Sequence, residues 1–170
     1  ASLRAKGDVR MAATFLEMPR PYWLGWPGTT YDLDKSQKTF RTQLDQSVQR
    51  LGIQMAMESK PINDEAGVGT WLAKIKQEKP QALLVMLQSI FCWKWIERIS
   101  KESGLPLIVF APVGMAFTGH VGQACRLPGV HVVSSMQWSA VEDALRMVRA
   151  KRKFENTRVL WIRGKDRNET

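Results

Sequence analysis

The chain has 170 residues, a formal net charge of +9 and a hydrophobic content of 44%. This length fits one domain that can bury its own core, and the ordinary composition excludes a disordered chain or a coiled coil. No apolar run reaches the roughly 18 residues of a membrane span and no signal peptide is visible, so we expect a cytoplasmic protein without a membrane partner.

Strand and helix signals alternate from the start of the chain. Val9–Leu16 is a short apolar run, which is typical of a strand. The loop at 17–30 is rich in Pro and Gly, and its length favours a functional loop. A long helix over 35–51 follows, with a capping box predicted between Asp34 and Gln37.

The remaining elements continue the alternation. Further strands are predicted at 53–57, 82–87, 107–111, 130–133 and 159–162, and further helices begin at Asp64, near Phe91, at Thr118 and at a capping box of Ser139 and Glu142. This order predicts an α/β fold, a three-layer αβα sandwich with a mostly parallel five- or six-stranded sheet, flavodoxin- or Rossmann-like. We expect one such domain over 1–170, either alone or as the amino-terminal part of a longer protein.

Four loops follow the predicted strands, at 17–30, 88–93, 112–120 and 134–138. Ligands of open α/β sheets bind outside the carboxyl ends of the strands, so these loops are where a site is expected.

The first of these loops combines a cation with aromatic rings. Arg20, with Tyr22, Trp23 and Trp26, could hold a carboxylate, a phosphate or the face of a sugar. Two alternatives are open: the loop packs on its own rings and prolines, or the rings mark a protein interface.

In the second loop, Gln88 and Ser89 either hydrogen-bond a polyol or cap the following helix. Phe91, Trp95 and Ile99 share a face of that helix, so we expect Trp95 in the core. Trp93 and Lys94 then point elsewhere, and an outward Trp93 would be available to a ligand.

The third loop ends where a short helix begins. Thr118 and Gly119 open this helix, and its free amides could attract anions or hydroxyl groups. His120 follows directly, either as a binding residue or as a capping and packing residue. His131 lies within a predicted strand and is expected to be structural.

Several common sites are excluded by their spacing. The chain has no G-x-G-x-x-G fingerprint, no P-loop, no G-x-S-x-G elbow and no cluster of metal ligands. Cys92 and Cys125 do not form a C-x-x-C pair, and buried free thiols are favoured over a disulfide. We therefore expect no cofactor and no complete catalytic centre within this chain.

Basic residues crowd the last quarter of the chain. A solvated helix face explains Arg146, Arg149 and Lys151, and interleaved exposed aromatics or an RNA-binding signature are not evident. Nucleic acid is therefore not expected as a partner.

The order of four features carries a resemblance to a known family. Val9–Leu16 leads into the helix at 35–51, a later helix ends in KESGLP at 101–106, a Pro- and Gly-containing loop spans 110–122, and an Ala- and Arg-rich helix leads into a strand ending in Gly at 141–164. This order resembles the amino-terminal domain of the L-fucose/L-arabinose isomerase family.

The resemblance implies a domain that contributes to a sugar or polyol pocket, often across a subunit boundary of a homo-oligomer. The residues expected to line it are Arg20, Trp23, Gln88, Ser89, Trp93, Thr118, Gly119 and His120. Aldose–ketose isomerisation would require further domains, which in this family carry the divalent metal, such as manganese, and its carboxylate ligands. The alternative is a non-enzymatic small-ligand-binding or protein-interaction module.

Overall fold

Strands and helices alternate in the structure as the sequence pattern predicts. The computed structural model describes residues 9–21, 32–112 and 114–158. Its elements are β1 (Val9–Leu16), α1 (Leu33–Leu51), β2 (Ile53–Met57), α2 (Glu65–Glu78), β3 (Ala82–Leu87), a 3₁₀ helix (Ile90–Trp95), α3 (Ile96–Ser103), β4 (Leu107–Ala111), α4 (Thr118–Ala124), β5 (Val130–Ser134) and α5 (Trp138–Glu155).

The five strands form one sheet in the order β2-β1-β3-β4-β5, and every neighbouring pair is parallel. This is the flavodoxin-like order, in which the direction of strand addition reverses between β1 and β3. The predicted α/β class and parallel sheet are confirmed. The strand predicted at 159–162 lies outside the described residues.

Helices cover both faces of the sheet, which makes three layers. Leu83 and Val85 of β3 belong to a core shared with α2, α3 and α4, whereas Leu84 and Met86 belong to a core shared with α1 and α5. Because successive side chains of a strand point to opposite faces, a strand covered on both faces is apolar throughout. The buried stripe predicted for α2 is confirmed, with Val68, Trp71, Leu72 and Ile75 all buried.

The start of α1 differs from the prediction. The N-cap is Asp32, whose side chain accepts a hydrogen bond from the Lys35 amide at 2.9 Å, and Asp34 lies in the first turn instead. Asp34 pairs with Arg20, and Gln37 donates to the carboxylate of Glu17, so tertiary partners occupy both side chains of the predicted capping box.

The start of α5 also differs. Its N-cap is Gln137, and Ser139 lies inside the helix. Glu142 makes no capping box, because its buried carboxylate accepts hydrogen bonds from Arg50 and Ser47 of α1 and from Arg146. A charged group at the interface between α1 and α5 needs such partners to offset its desolvation.

The segment predicted as one helix near 91–103 is two. Its first part is a 3₁₀ helix, capped by Ser89, whose Oγ accepts a hydrogen bond from the Phe91 amide at 3.2 Å. A 3₁₀ helix advances about 120° per residue instead of about 100°, so Phe91 and Trp95 no longer share a face. Trp95 is buried as expected, but Phe91 is 60% exposed, and Trp93 is buried rather than outward.

No helix in the described ranges is both long and apolar enough to cross a membrane.

Candidate functional site

A cleft of about 770 Å³ opens between the 3₁₀ helix and α4. It is lined by residues that follow the ends of three strands: Met18 after β1, Phe91, Trp93 and Lys94 after β3, and His120 and Arg126 after β4. Three of the four loops predicted to hold a site therefore meet here. The fourth, at 134–138, contributes no residue to the lining.

Trp93 forms the floor of this cleft. It is only 8% exposed, and its indole Nε1 donates a hydrogen bond to the Met115 carbonyl at 2.6 Å. The ring stacks on the imidazole of His120, with centroids 5.6 Å apart and 6° between the planes. The structure thus brings these two predicted residues together. Trp93 fixes the position of His120, and its own ring has no open face for a ligand.

Neighbouring groups fix the position and orientation of the His120 ring. Its Nδ1 accepts a hydrogen bond from the Phe117 amide at 3.4 Å, and the Phe117 ring stacks on it at 5.9 Å. The capping and packing interpretation is therefore correct, and the residue also lines the cleft. A neutral imidazole that accepts at Nδ1 carries its proton on Nε2, which makes His120 a hydrogen-bond donor there.

The rim of the cleft comes from side chains that the sequence pattern did not single out as binding residues. Phe91 is 60% exposed, and Lys94 Nζ lies 4.8 Å from the ring centroid of Trp95. Gln123 and Arg126 add polar groups from α4 and the turn after it. In the sequence, Arg126 is a basic residue just beyond a short helix that follows a strand-end loop. Its place at the cleft could not be predicted, because this depends on α4 lying beside the 3₁₀ helix.

Gln88 and Ser89 serve the fold and do not line the cleft. Both are at most 1% exposed. Ser89 caps the 3₁₀ helix, as its capping interpretation predicted, and Gln88 Nε2 donates to the Leu87 carbonyl at 3.1 Å.

Arg20 lies away from the cleft lining. Its guanidinium donates to Glu17 at 3.1 Å and to Asp34 at 2.8 Å, and these hydrogen bonds raise its pKa above the usual value. Glu17 is 6% exposed and also accepts from Gln37 at 2.7 Å. Arg20 therefore ties the end of β1 to α1, while Trp23, the other residue proposed from this loop, lies outside the described residues.

Thr118 and Gly119 are the first two residues of α4, as predicted. Both are exposed, and neither lines the cleft. His131 lies within β5, also as predicted.

The family resemblance assigns the metal ligands to further domains, so it implies no metal site within the described ranges of this chain. Within those ranges, no group of three or more His, Cys, Asp or Glu side chains could hold a metal ion. Both cysteines are free, but only Cys92 is buried, so the expectation of two buried thiols is wrong for Cys125. Burial raises the pKa of the Cys92 thiol to about 12, which keeps it protonated and unreactive at neutral pH.

Three of the basic residues of α5 form ion pairs within the helix. Arg146 pairs with Glu142 and Asp143, and Lys151 and Arg152 both pair with Glu155. Pairs at this spacing are usual on a solvated helix face.

No protein-family model matches this chain, and no curated protein matches it as a relative. The chemistry of the cleft is therefore inferred from its side chains.

Proposed function

We propose that this chain is a small-molecule-binding α/β domain whose cleft receives a sugar or polyol. The observation that carries the proposal is the cleft itself, which joins Trp93 and His120 from two separate strand-end loops. Its volume of about 770 Å³ falls within the range of small-ligand sites, and its position outside the carboxyl ends of the strands is where open α/β sheets bind ligands.

The lining suits a ligand with both apolar and hydroxyl surfaces. The exposed ring of Phe91 can cover the C–H face of a sugar. His120 Nε2 and the amide of Gln123 supply hydrogen-bonding groups for hydroxyls at the same cleft. An aldose–ketose isomerase role, with manganese, belongs to this proposal only for a longer protein in which other domains supply the metal ligands.

Calorimetric titration with a panel of aldoses and ketoses tests the proposal, with and without manganese. We expect saturable binding by at least one member, weakened about fivefold by Phe91→Ala. Phe154→Ala is the matched control, because Phe154 is 79% exposed but lies on α5 and outside the cleft. Absence of binding by every sugar of the panel, and by every phosphate ester and aldonate of these sugars, under both conditions would refute the proposal.

A protein-interaction role is the second candidate, and a homo-oligomer is its simplest form. Phe91 lines the cleft at 60% exposure, and Phe117, which stacks on His120, is 62% exposed. Exposed aromatic rings grouped at one edge are typical of interfaces. Size-exclusion chromatography of the Phe91→Ala/Phe117→Ala variant beside wild type tests this, and an unchanged elution volume would count against it.

A further inference from the structure

The cleft has an excess of positive charge and of hydrogen-bond donors. Lys94 and Arg126 line it, and His120 adds the donor at Nε2. Among the described residues of the lining, Glu97 is the one carboxylate, and Lys101 Nζ engages it at 2.5 Å. A bound ligand must therefore supply acceptors.

Lys94 and Arg126 differ from three other basic side chains of the helices in their ion pairing. Arg50, Arg98 and Arg146 each contact a carboxylate. Neither Lys94 nor Arg126 makes an ion pair with any residue in the described ranges; the ammonium of Lys94 instead lies over the Trp95 ring. Two cations that make no ion pair with a carboxylate of the described residues line one cleft, and they are available to an anion there.

The two cations also come from different walls. Lys94 belongs to the 3₁₀ helix that follows β3, whereas Arg126 follows α4 and therefore β4. An anionic group bound between these walls is attracted by the charges of both, whereas a neutral polyol can only accept hydrogen bonds from them.

We propose that the ligand of this cleft is a sugar or polyol that bears a phosphate or carboxylate group, held by Lys94 and Arg126. This inference rests on the proposed sugar-binding function and narrows it to an anionic class of ligand. Phe91 and His120 contact the polyol part in this arrangement, and the two cations contact the anionic group.

Titration calorimetry of the whole chain tests the inference with matched probes. Each sugar of the aldose and ketose panel is titrated beside its phosphate monoester and its aldonate, and inorganic phosphate is titrated alone. We expect at least one anionic derivative to bind about tenfold more tightly than its neutral parent. Lys94→Ala and Arg126→Ala should each weaken binding of the anionic derivative about fivefold more than they weaken binding of its neutral parent.

Lys38→Ala is the matched control, because Lys38 is exposed on α1 and makes no ion pair in the described ranges. Neutral sugars that bind as tightly as their anionic derivatives would overturn the charge requirement and leave sugar binding intact. Inorganic phosphate binding as tightly as the best ester would also overturn the inference, since the sugar would then contribute nothing. No binding by any probe would overturn both this inference and the proposed function.

Discussion

The indole Nε1 of Trp95 donates a hydrogen bond to Glu65 Oε2 at 2.7 Å, which ties the 3₁₀ helix to the first turn of α2. Two residues earlier, the indole of Trp93 donates its hydrogen bond on the opposite side of the 3₁₀ helix, to the Met115 carbonyl. The short helix that forms one wall of the cleft is thus fastened on both sides. We expect the two hydrogen bonds to contribute differently to the free energy of unfolding.

Replacing either tryptophan with Phe removes the hydrogen bond and a similar side-chain volume. Trp93→Phe leaves the carbonyl of the fully buried Met115 without this donor, so we expect it to lower the free energy of unfolding by about 1–3 kcal/mol beyond the volume effect. The acceptor of Trp95, Glu65, is exposed to solvent and also pairs with Arg98. Trp95→Phe should therefore lower the free energy of unfolding by less through the lost hydrogen bond. Guanidinium unfolding of both variants measures the difference, and equal losses would contradict the prediction.

Glu142 should make the stability of the domain fall in acid. The hydrogen bond from Arg50, followed by its charge and by Ser47 and Arg146, lowers the pKa of this carboxyl below its usual value. A group with a lowered pKa in the folded state stabilises the fold above its unfolded pKa, about 4.3, and loses this contribution as pH falls through the folded pKa.

Urea unfolding of wild type and Glu142→Gln at a series of acidic and neutral pH values tests this. The stability advantage of wild type should be full near neutral pH and should disappear in strong acid. Asp45→Asn, an exposed change on α1, is the control for loss of a carboxylate. A difference between wild type and Glu142→Gln that stays constant with pH would contradict the assignment.

The two thiols should differ in reactivity. Cys92 is fully buried and its pKa is raised to about 12, whereas Cys125 is exposed. A thiol-specific chromogenic reagent should therefore modify one cysteine rapidly in the native protein and both after unfolding in guanidinium. Cys125→Ser should abolish labelling of the native protein, while Cys92 of this variant should still be labelled after unfolding. Rapid labelling of the native variant would show that Cys92 is accessible.

Arg20 and Glu17 should be energetically coupled. Arg20→Ala leaves the carboxylate of Glu17, 6% exposed, with Gln37 as its remaining side-chain partner among the described residues. We expect a loss of about 1–3 kcal/mol in the free energy of unfolding. The same change in a Glu17→Gln background should cost less, because no charge is left behind. A double-mutant cycle by denaturant unfolding measures the coupling.

The control for this cycle is Lys60→Ala, since Lys60 is exposed and makes no ion pair in the described ranges. It should change the free energy of unfolding by less than about 0.5 kcal/mol. Additive effects of Arg20→Ala and Glu17→Gln would show that the ion pair contributes nothing to stability.

The fold could be predicted because its signals are local. The apolar run of β3 and the helical spacing of Val68, Trp71 and Ile75 report burial directly. The order of the strands in the sheet could not be predicted in this way. The strands β1, β3 and β4 are all apolar, and no local signal indicates which strands pair with each. The reversal of order between β1 and β3 emerges only from the assembled sheet.

The site was only partly predictable for the same reason. Trp93 and His120 could be named from strand-end loops, but their stacking depends on α4 lying beside the 3₁₀ helix. The exposure of Phe91 depends on a helix with about three residues per turn, which the sequence pattern cannot distinguish from an α-helix. Lys94 and Arg126 acquire a shared role only when these two elements meet.

The interior position of β1 in the sheet also governs when the domain can fold during synthesis. β1 pairs with β2 on one edge, but its other edge pairs with β3, which begins only at Ala82. A nascent chain that ends before Ala82 therefore leaves one edge of β1 unpaired, and an unpaired edge invites association with other chains. We expect closure of the β1–β3 ladder, a non-local parallel pairing, to limit the folding rate and to be the step at which aggregation competes.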